Sequence, residues 1–385
     1  MSETLLSKEQ APETTAEIER VEPAGAAGRV TESLADPVDD RPRELGVRTL
    51  DDRASLLGAA AGSLALTWLL YEVLFAFGGY VGFVVLWWFA FVVLYAAVTS
   101  VAHPRVAVVD RMVAVVVASG AALVGLALAS TLVYVLVRGW PAMHHWNFYT
   151  QDGTTAGPTD PLTKGGISHA IIGSAEEVGI ATVIALPLGL GTAVYMSEVG
   201  GRISRVVRTV VEAMTALPDI LAGLFIYTLL IYSFHWERTG FTAALALSVT
   251  AIPIIARSAE VTLRVVPSGL REASLALGAS QWQSVWRVVL PTARSGLATA
   301  LILAIARIVG ESAPLLIVSS DTTYYNHDPF TGPMNSLPLY IIQRVRSGQP
   351  GLIARGFGAA ALLLLTVLVL FATARFLARN RTGRR

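Results

Sequence analysis

Residues 267–291 read PSGLREASLALGASQWQSVWRVVLP, a polar, charged stretch between two long apolar runs. Arg271, Glu272, Gln281, Gln283 and Arg287 keep it out of a bilayer interior. Its apolar residues nevertheless recur at helical spacing: Leu270, Ala273 and Leu277, then Trp282, Val285 and Val289. Gly278 stands between the two sets, where a chain turns most easily from one helix into the next. Pro267 opens the first helix and Pro291 is expected to halt the second. The product is a helix–turn–helix on one membrane face, apolar on one side and exposed on the other, a docking surface for a soluble partner.

Outward from this stretch the chain is apolar. It has 385 residues, 54% hydrophobic and only 15% charged, against about 25% charged in soluble chains. Its mean hydropathy is +0.58. These values define an all-α polytopic membrane protein. A net charge of +1 gives no basis for a nucleic-acid partner, and the absence of cysteine excludes disulfides, thiol catalysis and thiolate metal sites. Residues 1–53, acidic and poor in aromatics, read as a disordered cytoplasmic tail. Eight spans follow: 54–77 and 79–98, turning at Gly78-Gly79, then 112–137, 168–197, 206–231, 242–265, 295–318 and 357–376. Arginines flank alternate loops: Arg53 before the first span, Arg105 and Arg111, Arg202 to Arg208, Arg271 to Arg294, and Arg375 onward. With eight spans these segments share one side, which places both termini and the docking stretch in the cytoplasm of a plasma-membrane protein.

Charges within the spans need a reason, since each costs about 2.5–3.5 kcal/mol on insertion scales. In IPIIARSAEVTLRVV, Arg257 and Glu260 lie one turn apart; in LILAIARIVGESAPLL, so do Arg307 and Glu311. Each pair can neutralise itself and hold helices together. Alternatively, two guanidinium forks on adjacent helices can hold one phosphate-like dianion, with a nearby carboxylate preventing too tight a grip. Pro187, Pro218 and Pro253 are expected to bend their spans. Glu212 and Asp219 read as structural, and Glu176-Glu177 have no evident role.

The docking stretch resembles the coupling loop of ABC-importer permeases: Glu272, Ala273 and Ser274, then Gly278, then Val288, Leu290 and Pro291 keep that spacing, with Ser274 for Ala and Val288 for Ile. Arg307, Gly310, Glu311, Ser312, Ala313, Pro314, Leu315 and Leu316 are similar to a signature of the PstA-type phosphate permeases, with Ser312 for Thr. GGISHAIIGS and IALPLGLGTAVYMSEVG resemble the opening of the same transport domain. The resemblance implies a type I ABC-importer transmembrane domain over 168–378, with 112–137 as its first spanning helix and residues 54–98 as an extra N-terminal transmembrane hairpin. It implies ATP-driven import of inorganic phosphate by alternating access. Arg257 and Arg307, with Glu260 and Glu311, would form the substrate pathway; Glu272, Ala273, Gly278, Leu290 and Pro291 would couple to the ATPase.

The implied partners are two cytoplasmic ATP-binding subunits, a second homologous permease subunit, an extracytoplasmic phosphate-binding protein and membrane lipid. No phosphate-binding glycine loop ending in Gly-Lys-Ser/Thr is present, so ATP hydrolysis is expected in a separate subunit, with no catalytic residues, cofactor or metal here. The rival readings are a permease for another oxyanion or small solute, and a non-transporting membrane scaffold.

Overall fold

The computed structural model describes residues 50–75 and 78–379. Most of the expected tail therefore lies outside the described residues, although its last positions, from Leu50, already belong to a helix. The chain divides into two compact units at Val115/Val116.

In the first unit, α1 (Leu50–Trp68) continues as a π-helical turn to Leu74 and pairs with α2 (Tyr80–Ala102). The packing face of α1 has one residue per turn: Ala59, Ser63, Thr67 and Tyr71 are all buried. Small residues at this spacing let two helices approach in an apolar medium. The Tyr71 hydroxyl closes the connecting turn, 3.1 Å from the Gly78 carbonyl and 2.9 Å from that of Gly79. Gly79 has φ +107°, a conformation open to glycine alone among common residues. The two helices thus form a hairpin closed at Gly78-Gly79.

The long helix α3 (Arg105–Met143) crosses the boundary between the units and overruns the expected 112–137 at both ends. Next come the short α4 (Asn147–Thr150), then α5 (Ser168–Val194), which runs on as a π turn to Val199. α6 (Gly201–Ala216) and α7 (Ile220–Ile226) precede α8 (Gly240–Arg264). The docking stretch supplies α9 (Ser268–Ala276) and α10 (Gln281–Ser284). The unit closes with α11 (Leu290–Val309), α12 (Leu315–Val318), α13 (Leu337–Val345) and α14 (Pro350–Arg379).

The core of this second unit is α5 against α8, with α11 packed between α8 and α14. Alanines dominate the seam: Ala181 and Ala185 on α5, Ala244 and Ala251 on α8, all fully buried. At Gly189 a Cβ would stand 2.8 Å from Ile255, so glycine there sets the helix separation.

Three expectations about the spans are corrected. The 206–231 span is not one helix: α6 and the α7 segment, which runs on as a π turn to Ser233, meet at 105°. Pro218 cannot donate an N–H, and it holds Leu217 extended, at φ −73° and ψ 139°. Seven described helices are long and apolar enough to cross a membrane, or up to eight if that bent pair counts as one. The 295–318 span ends at Val309, and only the single turn of α12 follows a break. Gly223 of α7 packs on that break, where a Cβ would lie 2.5 Å from the Pro314 carbonyl. Finally, Pro291 does not halt a helix. Residues 281–309 run as one helix, with a π-helical turn at Val285–Val289 immediately before the proline. The widened turn accommodates the lost hydrogen bond and the ring, and Pro291 sits in the first turn of α11.

The polar segments 138–167 and 319–355 form one layer. The Gly153 N–H donates to the Thr323 carbonyl at 2.7 Å. Buried Arg355 donates to the carbonyls of Lys164 at 2.6 Å and Pro161 at 3.1 Å. Phe148, Ile167, Leu337 and Tyr340 fill the interior beneath. The backbone N–H of Gly157, with the Lys164 ammonium, holds the Asp160 carboxyl below the usual carboxylate range.

Candidate functional site

The break between α6 and α7 opens a cavity of about 580 Å³. Its walls are the Leu217–Asp219 corner, Phe225 of α7, the Thr250–Ser258 face of α8 and, from α11, Arg307. The lining is mostly apolar, with the hydroxyls of Thr215, Thr250 and Ser258 among it. Arg257 and Arg307 come from different helices and face this one space. Arg257, with Ser258, also borders a second cavity of about 630 Å³ between α8 and the first half of α11. Arg257 and Ser258 line both cavities.

Both arginines are loosely paired on the cavity side. Arg257 Nη1 is 3.7 Å from Glu212, and Arg307 Nη2 is 3.8 Å from Asp219. These distances exceed those of a formed hydrogen bond, and both guanidiniums are about half exposed, at 48% and 60% of their side-chain surface. A donor fork held this way retains open positions for an incoming anion.

Glu260 is in a different situation. It is completely buried and accepts from Arg208 at 2.6 Å, Arg264 at 2.7 Å and Arg257 at 3.1 Å. The expected Arg257–Glu260 pair forms, but Glu260 does not line either cavity. It neutralises a cluster of guanidiniums and fixes the position of Arg257. The expected Arg307–Glu311 pair does not form. Helix α11 ends at Val309, so the one-turn register between residues 307 and 311 is lost. The Glu311 N–H instead donates to the Ile308 carbonyl, and its carboxylate is absent from the cavity walls. Asp219, which lines the cavity, is the carboxylate nearest Arg307, and Arg257 has Glu212 at 3.7 Å in addition to its bond to Glu260. Asp219 immediately follows the helix-breaking Pro218, which is the one sequence signal that could have placed it. Glu177 is buried on the α5 face packed against residues 334–337, where the Leu337 N–H donates to Ser174 Oγ; nothing in the structure assigns it a role.

The second part of the site is the α9–α10 foot. Gly278 turns it with φ +83°. Ser280 opens α10 with a reciprocal cap, its Oγ accepting from the Gln283 N–H while Gln283 Oε1 accepts from the Ser280 N–H. Val285 and Val289 of the expected apolar stripe are buried against α8, but Leu270, Leu277 and Trp282 are exposed, Leu277 by 89%. Glu272 and Ala273 are exposed beside them. Leu290 and Pro291 lie where the foot enters the bundle rather than at a free helix end.

Several spans, a broken helix opening a guanidinium-lined cavity, and an exposed helical foot together define a permease subunit of the multi-span importer class. Residues 185–382 match the family described as binding-protein-dependent transport system inner membrane component, and the chain belongs to it. Among its relatives is phosphate transport system permease protein PstA 1 of Mycobacterium tuberculosis (strain CDC 1551 / Oshkosh), 38% identical over 251 residues, 64% of this chain and 82% of the relative. The PstA of Xylella fastidiosa (strain 9a5c) is 37% identical over 224 residues, 57% of this chain and 78% of the relative. The crystal structure of a bacterial alginate ABC transporter, in complex with an alginate pentasaccharide-bound periplasmic protein, shares the fold. Its TM-score is 0.54 at 14% identity, over 71% of this chain and 96% of that one.

Proposed function

We propose that this chain is the permease subunit of an ATP-driven importer that moves inorganic phosphate across the membrane. The observation that carries the reading is the convergence of Arg257 and Arg307 on one cavity. Two planar forks, Arg257 fixed by Glu260 and Arg307 held loosely by Asp219, match the oxygens of a phosphate dianion with the donor positions they keep free. The presence of Arg257 in the walls of both cavities supports a stepwise path along α8 and α11.

The chain is a translocation component and carries no ATP-hydrolysing machinery of its own. The exposed Leu270, Leu277 and Trp282 around Glu272 are the surface that cytoplasmic ATP-binding subunits, two copies per complex, would grip. A second, homologous permease would complete the pathway. The layer formed by 138–167 and 319–355 would receive an extracytoplasmic phosphate-binding protein. Both termini are then cytoplasmic, and residues 168–378 form the transport domain with 112–137 as its first spanning helix.

The test is reconstitution of the complete complex in vesicles containing ATP, with labelled phosphate and the receptor outside. ATP-dependent phosphate accumulation that excess sulfate does not suppress is expected. Accumulation of another oxyanion without phosphate would reject the substrate, and ATP hydrolysis with no solute uptake would leave only a scaffold.

A further inference from the structure

The α9 half of the foot is bonded to the bundle through Arg271. Arg271, next to Glu272 on α9, points away from the exposed face. Its Nε donates to Glu198 Oε2 at 3.1 Å and its Nη2 to Glu198 Oε1 at 3.0 Å, a two-pronged charge-assisted pair. The remaining donors reach the end of α8: Nη1 to the Val266 carbonyl and Nη2 to that of Leu263, both at 2.9 Å. Those carbonyls lie at the C-terminal end of α8, where a cation is favoured.

Glu198 is equally committed. Its side chain is 7% exposed and it sits in the π turn that ends the α5 rod. Its own carbonyl accepts from the Gln281 side chain at the start of α10. The same residue therefore receives both halves of the foot, Arg271 from α9 and Gln281 from α10. Beyond Glu198 and the Leu263–Val266 carbonyls lie α5 and α8, which pack together along the core, and α8 carries Arg257.

We infer that the Arg271–Glu198 pair is the joint through which displacement of the foot reaches the α5–α8 pair and hence Arg257. This rests on the reading of the foot as the ATPase grip. Both are positioning residues; neither lines the cavities. A surface ion pair would yield under load, whereas a partly buried fork bonded on both sides moves as one piece with its helices.

Two readouts test the joint in the reconstituted complex. Glu198→Gln removes the charge while leaving Arg271 on the α8 carbonyls. It is expected to assemble and to hydrolyse ATP at close to the unaltered rate, while phosphate moved per ATP falls by about tenfold or more. The chain contains no cysteine, so Ala276→Cys on the foot and Leu188→Cys on the exposed side of α5 can carry spin labels without background. With the pair intact, the label distance is expected to stay constant when a non-hydrolysable ATP analogue binds; with Glu198→Gln it broadens or shifts. An unchanged transport ratio, an unchanged distance in Glu198→Gln, or failure of that variant to assemble overturns the inference, the last because the pair would then serve stability alone. If the unaltered complex moves no phosphate, the functional reading fails, while the distance measurement still decides the joint.

Discussion

Arg307→Gln is expected to reduce ATP-dependent phosphate uptake by about a hundredfold or more while leaving assembly intact. The size follows from the surroundings. Arg307 is the α11 contribution to a largely apolar cavity, and its cavity-side partner, Asp219, stands 3.8 Å away. Removing the guanidinium takes one of the two cations from the wall and leaves Asp219 to cancel the other, Arg257, so the space loses its net attraction for an anion. A hydrogen bond from the fork to a bound anion is worth about 1.5–3 kcal/mol, and each 1.4 kcal/mol is about tenfold. Folding loses little, because the side chain is 60% exposed and its pairing is loose. Arg307→Lys keeps the charge without the fork and is expected to fall between the two. Uptake by Arg307→Gln within about threefold of the unaltered protein would remove Arg307 from the pathway.

The second large effect is on stability. Glu260→Gln leaves Arg208, Arg257 and Arg264, all within 3.1 Å of a buried carboxylate, without their shared anion. Breaking a buried ion network from one side costs about 3–5 kcal/mol, equivalent to a fall on the order of 10 °C in the detergent-solubilised unfolding midpoint. Arg208 comes from α6 and the others from α8, so α6 should be the first element to lose protection in hydrogen exchange. Glu212→Gln is the matched control: that carboxylate is 54% exposed and 3.7 Å from Arg257, and its loss is expected to shift stability by less than about 1 kcal/mol. Equal midpoints for the two variants would show that Glu260 is not a structural hub.

What could be read from the chain alone was what local rules govern. The foot was legible because glycine, proline and helical spacing act over a few residues, and Arg257 and Arg307 stood out as charges in apolar runs. Their partners were legible only where the helix continued. Arg257 and Glu260 share an unbroken α8 and meet as their spacing predicts. Arg307 and Glu311 have a comparable spacing, but α11 stops between them, and a carboxylate 88 residues earlier in the chain takes the place of the near one. Arg208 at Glu260 and Glu198 at Arg271 are likewise tertiary meetings with no local signal. Proline was read with the right residue and the wrong extent. Pro218 bends its span by 105°, while Pro291, preceded by a π turn, interrupts nothing.

The central claim is that phosphate passes between Arg257 and Arg307. The absence of cysteine makes a direct measurement possible: place one at Ser258 or Thr215, both on the cavity wall, and follow its reaction with a small anionic thiol reagent in the assembled complex. Saturating phosphate is predicted to slow modification of Ser258→Cys and Thr215→Cys by about tenfold, with no such protection by sulfate. Modification at the same rate with and without phosphate, in a complex that still transports it, would contradict the account.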